Sequence, residues 1–175
     1  FVSKDAMDIR GLGVQQVRTF FKKGWLQNVA DIYRLDYDKI LAMEGYKEKS
    51  VQNLKEAIEK SKQQPLDRLL FGLGIRFVGK TTAKILAHQV KSLKEFKDWS
   101  KEDFEALEDI GPVVAASIHD FFRNQQNLDL IDQLTELGVK TSQGEEELEE
   151  PSGPLEGKTF VFTGSLPTLT RSEAK

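Results

Sequence analysis

Four short turns hold the residues best suited to chemistry: Gly11-Leu12-Gly13, Gly45-Tyr46-Lys47, Phe77-Val78-Gly79 and Asp109-Ile110-Gly111. Glycine accepts positive φ and leaves no side chain in the way of an approaching group. Each turn feeds a run with helical spacing. A helix N-terminus exposes unpaired N–H groups and the positive pole of its dipole. Together they make an anion site for a phosphate oxygen. Such a site reads no base edges, so binding through it is independent of sequence. One Gly-x-Gly alone only ends a helix and starts another. Four in register shift the reading towards phosphate.

The turns differ in flanking charge. The first has both glycines, with Arg10 and Arg18 nearby. The second carries Lys47 where the second glycine would stand, and Lys49 follows. The third has Arg76 and Lys80. The fourth has Glu108 and Asp109, which repel phosphate, but keeps Gly111 and a helix opened by Pro112.

The elements that position these turns show in an internal repeat. Gly13, Lys47, Gly79 and Gly111 lie at intervals of 34, 32 and 32 residues. Four positions before them come Ile9, Met43, Ile75 and Leu107; one before come Leu12, Tyr46, Val78 and Ile110. Four after come Val17, Val51, Ala83 and Ala115; seven after come Phe20, Leu54, Leu86 and Ile118. All are apolar. The pattern describes a helix end, a tight turn with one inward residue, then a second helix. Helices of about 8–14 residues with short connections are expected over residues 1–140. Asp36, Ser100 and Asn127 are expected as N-caps, with Asp103 three residues after Ser100. Pro65 and Pro112 suit first-turn positions, and Gly138 stops a helix.

The 175 residues allow one ordinary domain or two small ones. There is no cysteine, which excludes disulfides, thiolate zinc sites and a cysteine nucleophile. His88 and His119 are the only histidines and read as surface or packing residues. No apolar run reaches the length of a membrane span. Net charge is −3, but residues 1–140 carry 22 basic and 21 acidic residues, while 141–175 carry 3 and 7. Nucleic-acid binding by the main body must therefore be local. Residues 141–156 read as an acidic flexible linker. The run Gly157–Gly164 reads as a strand, and Thr170-Arg171-Ser172-Glu173 as a capping box. One strand and a helix start bury no core, so a truncated second domain is expected at 157–175. The first residues, Phe1-Val2-Ser3-Lys4-Asp5, suggest a piece of a longer protein.

One segment imitates a different site. Gly74-Ile75-Arg76-Phe77-Val78-Gly79-Lys80-Thr81 matches the nucleotidase phosphate loop, which requires a preceding strand. Leu66–Phe71 reads as helix, so nucleotide hydrolysis is disfavoured. Lys91, Lys94, Lys97 and Lys101 read as a solvated helical face. Trp25, Trp99 and the pairs Phe20-Phe21 and Phe121-Phe122 read as core.

The turns resemble helix–hairpin–helix motifs, a unit that binds the DNA backbone. Four in tandem, entered by Phe1–Gly13, are similar to the bacterial NAD-dependent DNA ligases. Pro65–Gly79 is a second family-like segment, and Gly157–Leu166 resembles the first strand of a BRCT domain. The resemblance implies a mostly α fold of four tandem motifs, followed by a truncated α/β BRCT start. It implies a DNA-binding domain at 1–140 (pairs about 1–64 and 65–140), the linker at 141–156 and the BRCT fragment at 157–175. By motif, backbone contacts fall at Gly11, Gly13, Gly45, Lys47, Lys49, Arg76, Gly79, Lys80 and Gly111. The family seals nicks between a 5′-phosphate and a 3′-hydroxyl through enzyme-AMP and DNA-AMP. Its adenylation lysine lies in a K-x-D-G motif that this sequence lacks. NAD, Mg and Zn are therefore expected in the parent enzyme and none in this chain. The expected partners are nicked double-stranded DNA and upstream ligase domains in cis. A monomer in the bacterial cytoplasm, at the nucleoid when on DNA, is expected, with no membrane. A junction-binding or nuclease subunit using the same motifs is the alternative, and a protein-interaction scaffold is a further one.

Overall fold

The computed structural model describes residues 1–143, and the expected BRCT segment lies outside them. Among the described residues eight α-helices follow one another: α1 Val14–Lys22, α2 Tyr37–Leu41, α3 Glu48–Ser61, α4 Leu66–Gly72, α5 Lys80–Ala87, α6 Lys101–Glu105, α7 Pro112–Arg123 and α8 Gln125–Glu136. Two 3-10 helices, Val29–Arg34 and Leu93–Asp98, precede α2 and α6. Among the described residues no strand forms, only an isolated bridge between Ser92 and Ser142. The fold is mostly helical, as the repeat predicts.

The repeat explains the packing. Twelve of its sixteen apolar positions are buried, and Val17, Met43, Tyr46 and Leu107 are half-buried against the same core. Helices α2 and α3, α4 and α5, and α6 and α7 pack against each other as sequence neighbours. Four aromatic rings fix the last hairpin. Phe96 lies 5.1 Å from Trp99, 5.5 Å from Phe104 and 5.1 Å from Phe122. At these separations tilted and edge-on rings add to the area they bury.

Chain outside the repeat adds further ties, and one of them, from Lys140 to Lys62, joins the two halves. Lys140 N–H donates to the Lys62 carbonyl at 2.9 Å, and Leu93 N–H to Thr141 at 3.0 Å. The Gln143 side chain donates to the Val90 carbonyl at 2.9 Å. At the other end, Met7 is buried and its carbonyl accepts from Gln64 at 3.2 Å.

Several local expectations need correction. Asn124, not Asn127, caps α8, accepting from Gln126 N–H at 2.9 Å. Asn124 has ψ 118, which ends α7, while the Asn127 amide sits inside α8 and donates to Phe121. Pro65 is the N-cap of α4 at ψ 155 rather than its first residue. Pro112 is the first residue of α7, and Asp36 and Ser100 cap α2 and α6, as expected. Phe21 is exposed, because Phe20 alone takes the inward phase of α1. The lysines from Lys91 to Lys101 share no helical face. Lys94 and Lys97 ride the 3-10 helix, Lys101 opens α6, and Lys94 pairs with Asp132 at 2.7 Å.

Candidate nucleic-acid interface

Gly13, Lys47, Gly79 and Gly111 are the N-caps of α1, α3, α5 and α7. The backbone repeats around each. The residue before the cap donates to the carbonyl three positions earlier: Leu12 to Ile9, Tyr46 to Met43, Val78 to Ile75 and Ile110 to Leu107, at 3.0–3.3 Å. The cap carbonyl then accepts the first helical bond, from Val17, Val51, Ala83 and Ala115, at 2.9–3.0 Å. The turns are alike despite their different residues.

Positive φ does not fall on the caps. It falls two residues earlier, at Gly11 (89°), Gly45 (88°), Phe77 (68°) and Asp109 (64°). The caps are extended, with φ of −82°, −126°, −92° and −85°. Any residue adopts such a φ, and Lys47 does. Packing does not demand glycine there either. A Cβ on Gly79 or Gly111 meets nothing within 4 Å, and one on Gly13 meets only the end of Gln16 at 3.1 Å. Glycine at these caps therefore keeps the approach to the N–H groups open from outside.

Few side chains of the protein take up those N–H groups. No side chain caps α1, α3, α5 or α7, and the first turns of α1, α5 and α7 hold no acidic residue. In α3, Lys47 N–H does donate to the Ser50 hydroxyl at 2.9 Å. The other helices mostly satisfy their own ends. Asp36 caps α2, Ser100 caps α6, Asn124 caps α8, and Asp31 accepts from Gln27 at 2.8 Å beside the first 3-10 helix. Among the other described α-helices, α4, begun by Pro65, shares the bare N-terminus. An uncapped N-terminus attracts anions through its donors and its dipole.

All nine sequence-predicted contacts are exposed. The structure does not bring them all together. Arg10 and Gly11 line a cleft with Ser50, Asn53 and Lys60, so the first turn lies along α3. The Arg76 carbonyl accepts from Ser117 at 2.7 Å, which ties the third turn to α7. Lys49 is not with the first group; it lines a separate cleft with Tyr37 and Lys55. Lys80 is engaged, donating to Asp5 at 2.7 Å. That hydrogen bond is the main cause holding the Asp5 carboxyl below its ordinary value. Arg76 lies over the Phe77 ring at 4.9 Å. Sequence reading missed Asp5, which sits 75 positions from its partner, and Ser117. Nothing local signals either.

The phosphate-loop imitation is explained. The segment before Gly74 is α4, a helix, and Gly79 is the cap of α5. Among the described residues no group of three His, Cys, Asp or Glu side chains is placed to hold a metal ion. His88 is exposed at the end of α5. His119 is mostly buried on α7, its Nδ1 lying 3.5 Å from Asp120. No described helix is long and apolar enough to cross a membrane.

Two family models match, and each match takes in two of the four turns. Residues 3–60 match the SAM-like helix-hairpin-helix tandem, and residues 68–131 match the helix-hairpin-helix motif. Among curated proteins, a DNA ligase of Persephonella marina is 54% identical over all 175 residues. A DNA ligase of Sulfurihydrogenibium azorense is 51% identical over the same span, and one of Aquifex aeolicus 45% over 174 residues. The chain spans about a quarter of the length of these relatives, 24% in each. The chain thus carries helix-hairpin-helix units in both halves and is similar, along its whole length, to one part of bacterial proteins named DNA ligase.

Proposed function

We propose that this chain grips the DNA backbone around a nick, without regard to sequence, as the non-catalytic C-terminal part of an NAD-dependent DNA ligase. The observation that carries this reading is the set of four helix N-termini behind turns of one geometry, three of them, at α1, α5 and α7, with no side-chain cap and no acidic first turn. At three of them the cap is a glycine that neither φ nor packing requires. Phosphate is the DNA group that fits such donors. The four turns are read as four tandem helix–hairpin–helix motifs, in pairs at about 1–64 and 65–140. Thr141 and Gln143 are bonded to the helical body, so the linker expected at 141–156 is read as beginning after them, and 157–175 as the beginning of a BRCT domain.

The nick-sealing chemistry, with its NAD, magnesium and zinc, belongs on this reading to the rest of the parent protein. This region holds the duplex while the ends are joined, and fixed placement of reacting groups lowers the barrier. Replication and repair in the bacterial cytoplasm are the setting, with the chain acting as a monomer. Identity to proteins named DNA ligase along the whole chain favours this over a junction-binding or nuclease subunit.

The test is an amide-resolved NMR titration of the chain with a nicked duplex. The largest shifts are expected at the first-turn N–H groups of α1, α3, α5 and α7. Shifts confined to other surfaces would reject the turns as the DNA-binding site.

A further inference from the structure

Phe77 is at odds with its position. It holds φ 68°, a left-handed conformation that a bulky aromatic residue rarely adopts. The equivalent residues of the first two turns are glycines, and aspartate in the fourth tolerates this region better. Its side chain is little buried in return: the residue is 54% exposed, with the Arg76 guanidinium over its ring. Strain and exposure together, beside the bare N-terminus of α5, point to a role outside the fold.

Other exposed apolar side chains share this placement. Val14, the first residue of α1, is 69% exposed, and Val113, in the first turn of α7, is 66% exposed. Three of the five large exposed apolar side chains thus sit at these hairpins; Phe21 and Leu41 are the others among the described residues. A nucleic-acid backbone alternates phosphate with sugar. An apolar group held beside a phosphate site meets the apolar face of the adjoining deoxyribose.

We infer that Phe77 is a DNA-contacting residue whose ring packs on the deoxyribose next to the phosphate held at the N-terminus of α5. The inference rests on the backbone-gripping reading above. It assigns Phe77 a contact that adds affinity without releasing counterions. Affinity supplied by phosphate contacts falls with salt; affinity supplied by an apolar contact does not.

The experiment compares the wild-type chain with Phe77→Gly, Phe77→Tyr and Arg76→Gln. Each is titrated against a labelled nicked duplex at several salt concentrations, with melting temperatures measured in parallel. Glycine relieves the left-handed strain, so Phe77→Gly should melt at or above the wild-type temperature. It should nevertheless bind about tenfold more weakly, from the apolar area no longer covered, with an unchanged salt slope. Phe77→Tyr should retain wild-type affinity. Arg76→Gln should instead lower the salt slope by about one. Wild-type affinity in Phe77→Gly would overturn the contact while leaving the phosphate reading intact. A fall in its salt slope would also overturn the contact, because the loss would then come from a displaced Arg76. A wild-type chain that fails to bind would overturn both readings.

Discussion

Replacing Gly79 by aspartate should move stability and DNA binding in opposite directions. The cap has φ −92° and ψ −171°, and a Cβ there meets no atom within 4 Å. Aspartate fits without strain and can accept from the first-turn N–H groups of α5. As an N-cap it exceeds glycine by a few tenths of a kcal/mol. Its charge at the helix N-terminus adds roughly 0.3–1 kcal/mol. The sum is about 1 kcal/mol, which raises Tm by about 2–4 °C in a chain of this size. The same carboxylate occupies the donors offered to phosphate and puts negative charge beside it. Losing charge-assisted hydrogen bonds there costs about 1.5–3 kcal/mol of binding. That is roughly 10- to 100-fold in Kd. Calorimetry and fluorescence anisotropy on one preparation measure both quantities. Gly79→Ala serves as a control, with no charge and no cap, and should lose far less affinity. Wild-type affinity in a Gly79→Asp variant that melts higher would refute the anion-site reasoning at this turn. A lowered Tm would refute the capping geometry.

Other outcomes follow from particular contacts. Asp5→Asn removes the carboxylate that holds Lys80 and should tighten DNA binding by about threefold at low salt, with the gain lost in an added Lys80→Gln background. Phe96→Ala should cost about 3–5 kcal/mol in urea unfolding, since Phe96 is fully buried against Trp99, Phe104 and Phe122. Burial raises the Asp31 carboxyl, but the N–H groups of Gln27 and Asn28 and the Arg34 guanidinium outweigh it and hold the group below its ordinary value. Its contribution is therefore present above the ordinary aspartate range and lost as pH falls through the lower folded value. The Tm gap between wild type and Asp31→Ala should shrink accordingly between neutral pH and about pH 3.

The apolar phase of the repeat carried most of what could be foreseen. Positions such as Phe20, Leu54, Leu86 and Ile118 are buried because one helical face must meet the core. The turn caps were legible for the same reason, since spacing fixes them relative to that face. What escaped depends on details that residue type leaves open. Asn124 and Asn127 are both able caps, and the break in α7 chose between them. The positive φ of Phe77 and Asp109 has no signature in those residues themselves. The Lys80–Asp5 pair and the staple from Lys140 to Lys62 join segments distant in sequence and arise only from tertiary packing. The glycines at positions 13, 79 and 111 were singled out for their conformational freedom, which their backbone does not use. The structure shows them extended, and what they supply is room.

The most direct measurement of backbone gripping is anisotropy of a labelled nicked duplex, titrated with the whole chain at two salt concentrations. An intact duplex of unrelated sequence is titrated beside it. Binding that is indifferent to sequence, with Kd on the order of 10⁻⁶ to 10⁻⁴ M and clear weakening at the higher salt, is the expected result. No binding at the lower salt, or binding that follows base sequence and ignores salt, would contradict it.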